Sequence, residues 1–157
     1  MPIVLYRVDD RLVHGQVVLG WGKPLHVGLV VLVDSEVYGS EWEQELYRMG
    51  MPAEMELQFA DVATAAREHA AWEADPRPVI VLTGDIGTMA TLRRAGLPVA
   101  ALNLGGIHHK VGRTPRLPYI YLTDDEYQAL VALQAGGVDV SAQDLPTTPA
   151  VPLAALH

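Results

Sequence analysis

Cysteine does not occur in this 157-residue sequence. Its absence excludes disulfide scaffolds, thiolate catalysis, thiolate zinc sites and iron–sulfur clusters, and it fits a reducing compartment. Long apolar runs are missing as well. The longest, such as Val27–Val33 interrupted only by Gly28, fall far short of the roughly 18–20 residues that a membrane span needs. No positively charged region precedes the strand-like start at Ile3–Tyr6, so a secretory leader is not expected. Basic side chains are scarce. Eleven Lys and Arg against nineteen Asp and Glu leave a net charge of −8, which argues against general nucleic-acid binding. Half of the residues are apolar and 19% are charged, the composition of a folded globular chain. The length suits a single domain over 1–157, expected to be cytoplasmic.

The few basic residues are unevenly spread. Residues 34–85 carry twelve acids and three bases, whereas residues 86–118 carry Arg93, Arg94, Lys110, Arg113 and Arg116 with no acid. Such a segment either presents its charge to an anion or is a solvated basic loop.

Short Val-, Ile- and Leu-rich runs alternate with helical segments. Strands are expected at Ile3–Tyr6, Leu29–Val33, Met55–Phe59, Val79–Leu82, Val99–Asn103 and Tyr119–Leu122, with a weaker one at Val138–Ala142. Most are continuous apolar runs, as in strands covered on both faces. Helices are expected at His14–Trp21, after Ser40 with a capping box to Glu43, over Val62–Ala71 behind Asp61, over Gly87–Arg94 ending at Gly96, and from Thr123 to Gly136 with a second capping box at Glu126. Trp21 and Trp42 read as core or partly buried anchors. The pattern predicts an α/β fold: an open, mostly parallel sheet of about six or seven strands, helices on both faces, and room for one antiparallel edge strand. The proline-containing stretch 144–157 is expected to wrap the surface as an extended arm.

Open sheets of this kind bind ligands beyond the carboxyl ends of their strands, so the loops after strands are where chemistry is sought. The loop Arg7-Val-Asp-Asp-Arg-Leu-Val-His14-Gly-Gln-Val holds two arginines, two aspartates and a histidine. His14 sits at an expected helix start, where unpaired amides and the helix dipole favour an anion. Imidazole is nucleophilic near neutral pH. A phosphoryl group on it would meet the planar donors of Arg11, while Asp9 or Asp10 is placed to orient the ring or hold an arginine. His14, Arg11 and Asp10 are the candidates for catalysis, a surface-polar role for the histidine and capping or turn roles for the aspartates being the alternative on residue type alone. Arg7, Gly15, Gln16, Thr83 and Lys110 are assigned to phosphate or substrate contact. Thr83 and Asp85 read equally well as a turn and helix cap. His108-His109-Lys110 reads as a basic rim, since a neighbouring His pair without acidic ligands is a poor metal site.

The loop through His14 resembles the active-site loop of the IIB components of the mannose/fructose/sorbose family of the bacterial phosphoenolpyruvate-dependent sugar phosphotransferase system. Asn103-Leu-Gly-Gly106 resembles the Asn-Val-Gly-Gly segment of that family, and Pro146-Thr147 with Pro152–Leu156 resembles its C-terminal end. The resemblance implies that His14 takes phosphate from phosphohistidine on a IIA partner and gives it to a sugar entering through membrane IIC and IID subunits. It implies Nδ1 as the phosphorylated nitrogen, Arg11 as a phosphate contact, attachment at the inner membrane face through those subunits, and room for self-association. The chemistry requires neither nucleotide nor metal, and no phosphate-binding glycine loop of the nucleotide-binding kinds occurs. Two departures stand out: Tyr6 replaces a small residue before the motif, and His108-His109-Lys110 stands where a small or hydroxyl residue and then a lysine are usual.

A regulatory module that uses His14 phosphorylation as a signal without transport would keep the same loop. A receiver-like module binding Mg²⁺ through Asp9 and Asp10 would need an acceptor aspartate, for which Asp61 offers itself, and a lysine near Asn103, where none occurs.

Overall fold

Apolar segments with no polar break need cover on both faces, and here they form the middle of a seven-stranded sheet. The computed structural model describes residues 3–157. Strand β1 (Ile3–Val8) leads through a π-helical segment (Gln16–Gly22) to β2 (Leu29–Val33), followed by α1 (Ser35–Tyr38), α2 (Glu41–Met49) and β3 (Glu56–Ala60). Next come α3 (Val62–Glu73), β4 (Val79–Thr83), α4 (Ile86–Arg94) and β5 (Ala101–Leu104). The chain ends with β6 (Thr114–Leu117), β7 (Ile120–Leu122), α5 (Asp124–Ala135), β8 (Asp139–Ala142), β9 (Val151–Pro152) and a 3₁₀ turn at Leu153–Leu156.

The sheet order is β3-β2-β4-β1-β5-β8-β9. Pairings are parallel throughout, apart from the antiparallel edge strand β9. Successive side chains of a strand point to opposite faces. Accordingly Leu29, Val31, Val33, Val79 and Val81 join one core with Ala65 and Trp72 of α3, Met89 and Leu92 of α4, and Leu130 of α5. Val30, Leu32, Ile80 and Leu82 join the other with Val17, Trp21 and Val37. β1 and β5 lie side by side, yet the chain leaves β1 toward β2 and β5 toward β8. That reversal of direction opens a crevice at their carboxyl ends.

The helix starts follow from local chemistry. Asp61, Asp85 and Thr123 accept the amide of the third residue on, at 2.7, 2.6 and 3.0 Å, which satisfies amides the helix cannot use. Thr123 and Glu126 form the expected reciprocal box, whereas Ser40 caps α2 in one direction, from the Glu43 amide. Gly96 adopts φ +107° just past α4, the left-handed turn that glycine tolerates.

Several expectations are corrected. The segment 119–122 does not enter the main sheet; β7 pairs with β6 as a separate antiparallel hairpin. β6, with Pro115 and Arg116, carries no apolar pattern to announce it. The stretch after Asp144 is more than an extended arm. It contributes β9 and a 3₁₀ turn whose Leu153 and Leu156 are buried. Trp42 is not an anchor: it is 72% exposed on α2, a helix with no fully buried residue. No helix among the described residues is long and apolar enough to cross a membrane.

Candidate functional site

The loops after β1 and β5 are laced together at the crevice. The Gly105 amide donates to the Val8 carbonyl at 2.7 Å, and the Asp10 amide to that of Gly106 at 2.8 Å. The loop after β4 joins from the other side, where the Thr83 carbonyl accepts the Asp9 amide at 2.9 Å. The chain then turns through Leu12, which has φ +60°, and delivers His14 to the start of the π-helical segment. This segment is shorter than the expected helix and begins two residues later. π-helical insertions are uncommon and concentrate at functional sites.

Asp9 is the hub. Its carboxylate is buried and divides its oxygens among three cationic or cation-forming groups: Oδ2 lies 3.5 Å from Arg7 Nη2 and 3.2 Å from His14 Nε2, and Oδ1 lies 3.4 Å from Arg11 Nε. The Arg11 amide also donates to Oδ1 at 3.1 Å. Burial alone would raise the Asp9 pKa. The facing His14, the Arg11 amide and Arg7 outweigh it and hold the carboxyl at about 2. Asp9 therefore remains an anion although its own side chain is out of contact with water.

His14 Nε2 is enclosed against Asp9. The approach is a charge contact, off the line of a well-formed hydrogen bond. The other ring nitrogen, Nδ1, accepts the Gln16 amide at 3.3 Å. A carboxylate can only accept and an amide can only donate, so this pattern selects the tautomer with the proton on Nε2 and the lone pair on Nδ1. The His14 side chain is 18% exposed, so the ring is reachable from outside.

The assigned residues distribute as follows. Arg11 is partly exposed and bonds Gln16 Oε1 through Nη2, while Gln16 Nε2 donates to Asp144 Oδ1 at 2.7 Å. Gly15 is exposed, and the space where its Cβ would stand is open. Asp10 does not orient His14; Asp9 does. Asp10 turns the other way and takes the backbone N–H and the ring Nδ1 of His108, each at 2.6 Å. Arg7 is not positioned to touch a ligand. It is 0% exposed and bonds Asn103 Oδ1, the Gln143 carbonyl at 2.9 Å and the Asp144 carbonyl at 3.2 Å. Its guanidinium also lies 4.9 Å from the Trp21 ring centre. Thr83 is likewise buried, its hydroxyl donating to the Asp85 carbonyl at 3.1 Å. Lys110 is exposed and makes no ion pair among the described residues.

The basic stretch 86–118 mostly serves the fold. Arg93 binds the Val99 and Gly136 carbonyls, Arg113 is paired with Glu126 at 2.7 Å, and Arg116 reaches the Leu156 carbonyl at 2.9 Å. Among the described residues, no three metal-ligating side chains converge on one point.

Asn103, Gly105, Gln143 and Asp144 were not assigned roles from the sequence. Gly105 lies where a Cβ would press into the Arg7 guanidinium and come within 2.7 Å of Asp9 Oδ2. Both obstructing groups are buried and tied on several sides. Gly105→Ala is therefore expected to destabilise the chain by about 1–3 kcal/mol, the usual cost of overpacking, measured by urea unfolding. An unchanged midpoint would show that the Arg7–Asp9 pair yields freely.

The comparisons with known proteins identify the family and the fold. The family model described as the sorbose subfamily IIB component of the phosphotransferase system matches residues 3–156. The sorbose-specific EIIB component of Lacticaseibacillus casei is 31% identical over 149 residues, covering 95% of this chain and 91% of that protein. The N-acetylgalactosamine-specific IIB component 2 of Escherichia coli K12 is 30% identical, covering 98% of each. The crystal structure of the IIBSor domain of the Klebsiella pneumoniae sorbose permease superposes with a TM-score of 0.90 at 26% identity, over 99% of this chain and 96% of that one. A single family thus accounts for the match along the sequence and for the sheet with its crevice, and the chain belongs to the sorbose-subfamily IIB components of the phosphotransferase system.

Proposed function

We propose that this chain is a phosphocarrier in which His14 Nδ1 accepts a phosphoryl group from phosphohistidine on a IIA partner. The group then passes to a sugar delivered by membrane IIC and IID subunits, with the chain working on the cytoplasmic side of the membrane. The observation that carries this reading is the division of the His14 ring: Nε2 held against buried Asp9, Nδ1 bearing the lone pair beside the Gln16 amide.

In the first step the Nδ1 lone pair attacks phosphorus as the donor's phosphorus–nitrogen bond breaks and its imidazole leaves with the electron pair. The His14 ring becomes cationic, and the Asp9 carboxylate at 3.2 Å stabilises the charge that forms, as the buried aspartate does in a serine-hydrolase triad. Arg11 is tethered to the same carboxylate yet is partly exposed. Its remaining donors are free to meet the phosphoryl oxygens, so positioning and charge stabilisation supply the catalysis. In the second step a sugar hydroxyl attacks phosphorus and releases its proton to solvent, the bond to Nδ1 breaks with its electron pair returning to the ring, and the ring regains its neutral tautomer.

Incubation with phosphoenolpyruvate and the upstream phosphotransfer proteins is expected to place acid-labile phosphate on the wild-type chain and none on His14→Ala. Full labelling of His14→Ala would overturn the assignment.

A further inference from the structure

The Asp10–His108 pair has no part in the steps above, yet it borders the same crevice. The point where a Cβ on Gly106 would stand lies 3.1 Å from His108 Cε1, 3.4 Å from Asp9 Oδ1 and 3.5 Å from Arg11 Nε. The second imidazole therefore shares one small space with the group that holds His14 and with the phosphate-binding arginine. Asp10 grips His108 twice, through the backbone N–H and ring Nδ1, which fixes the ring although its side chain is 55% exposed. A carboxylate accepts only, so Nδ1 carries a proton. Nε2 has no side-chain partner among the described residues.

We infer that His108, held by Asp10, is a second phosphoryl-binding imidazole of the site, acting in its cationic form as a donor from Nε2 to the phosphoryl oxygens while His14 is phosphorylated. This rests on the reading of His14 as the phosphoacceptor. Neutral His108 would aim a lone pair at those oxygens and leave Asp10 as an uncompensated negative charge beside an incoming dianion. Cationic His108 cancels Asp10 and adds a charge-assisted hydrogen bond. The other charged groups around it are already engaged: Asp9 and Arg11 with each other, and Arg113, which donates to the His108 carbonyl, with Glu126. His109 and Lys110 adjoin it in sequence. During transfer the phosphorus–nitrogen bond to the donor breaks as the bond to His14 Nδ1 forms. The His108 proton is shared with a phosphoryl oxygen and is not transferred.

The test compares initial rates of phosphorylation by the IIA-type donor for His108→Leu and His108→Lys, each as a ratio to wild type so that pH effects common to both proteins cancel. His108→Leu is expected to run about tenfold slower near pH 6 and to converge on wild type near pH 9. His108→Lys, which keeps a cation across this range, is expected to match wild type at the lower pH and exceed it at the higher. A His108→Leu ratio independent of pH, or equal to one throughout, would overturn the inference. So would a His108→Lys variant as slow as His108→Leu near pH 6. Absence of label on the wild-type chain would instead overturn the reading of His14 beneath it.

Discussion

Asp9→Asn is expected to slow phosphorylation of His14 on the order of a hundredfold while the chain still folds. In the proposed mechanism the Asp9 carboxylate, 3.2 Å from His14 Nε2, holds the proton on that nitrogen and stabilises the ring cation formed when Nδ1 takes up phosphorus. An amide in its place can present N–H as readily as C=O, and so ceases to select the reactive tautomer. The same exchange in a serine-protease triad costs about 10⁴ in rate; a smaller loss is expected here because Arg11 and the Gln16 amide remain. The variant also carries a pH signature. The folded Asp9 carboxyl sits at about 2, below its ordinary 3.8. Its contribution to stability is therefore complete above the unfolded value and is lost as pH falls from about 4 toward 2. Acid unfolding of Asp9→Asn is expected to lack that component. A wild-type labelling rate in this variant would mean that Asp9 does not control the ring.

Arg7→Met is expected to destabilise the chain by about 3–5 kcal/mol, because removing one partner of a buried ion pair strands the other. Burial pulls the Arg7 guanidinium below its ordinary pKa, while Asp9 and Asp144 oppose the shift. The cation stays because Nη1 and Nη2 are spent on Asn103, Asp9 and the carbonyls of Gln143 and Asp144, with Nε left unpartnered. Those contacts tie β1 to β5 and to the chain after β8. Methionine would strip the donor from Asn103 Oδ1 and the Gln143 carbonyl and remove the buried cation that faces Asp9, which keeps the Arg11 amide. Lysine is no substitute, since its single ammonium cannot span the planar fork. Arg7→Met combined with Asp9→Asn is expected to cost less than the sum of the two, the coupling that contacting residues display. Chemical denaturation of the four proteins measures it, and strict additivity would mean that the two side chains do not depend on each other.

The sequence revealed the parts of this molecule whose causes are local. Leu29–Val33 and Val79–Thr83 are strands because nothing polar interrupts them, and Asp61, Asp85 and Thr123 cap helices through amides three residues away. His14 and Arg11 stood out because charged residues cluster in an otherwise apolar stretch. What stayed hidden depends on distant chain segments. Asp9 and Asp10 are neighbours, and only the path of the backbone through Leu12 and past Gly106 sends one to His14 and the other to His108. Arg7 looked like a ligand contact because its partners lie about a hundred or more residues onward. β6 and the two-residue strand β9 offered too short and too polar a pattern to read, and the apolar run of β7 did not disclose that it pairs with β6 outside the main sheet. Trp42 looked like an anchor by its type alone, and its exposure on α2 is set by how that helix lies on the sheet.

The most direct test is to phosphorylate the intact wild-type chain through its donor and locate the group by tandem mass spectrometry, with phosphorus NMR to distinguish the ring nitrogens. The account predicts one phosphoryl group on His14, bonded to Nδ1. Phosphate on Nε2, which the structure encloses against Asp9, or on any other residue, would contradict it.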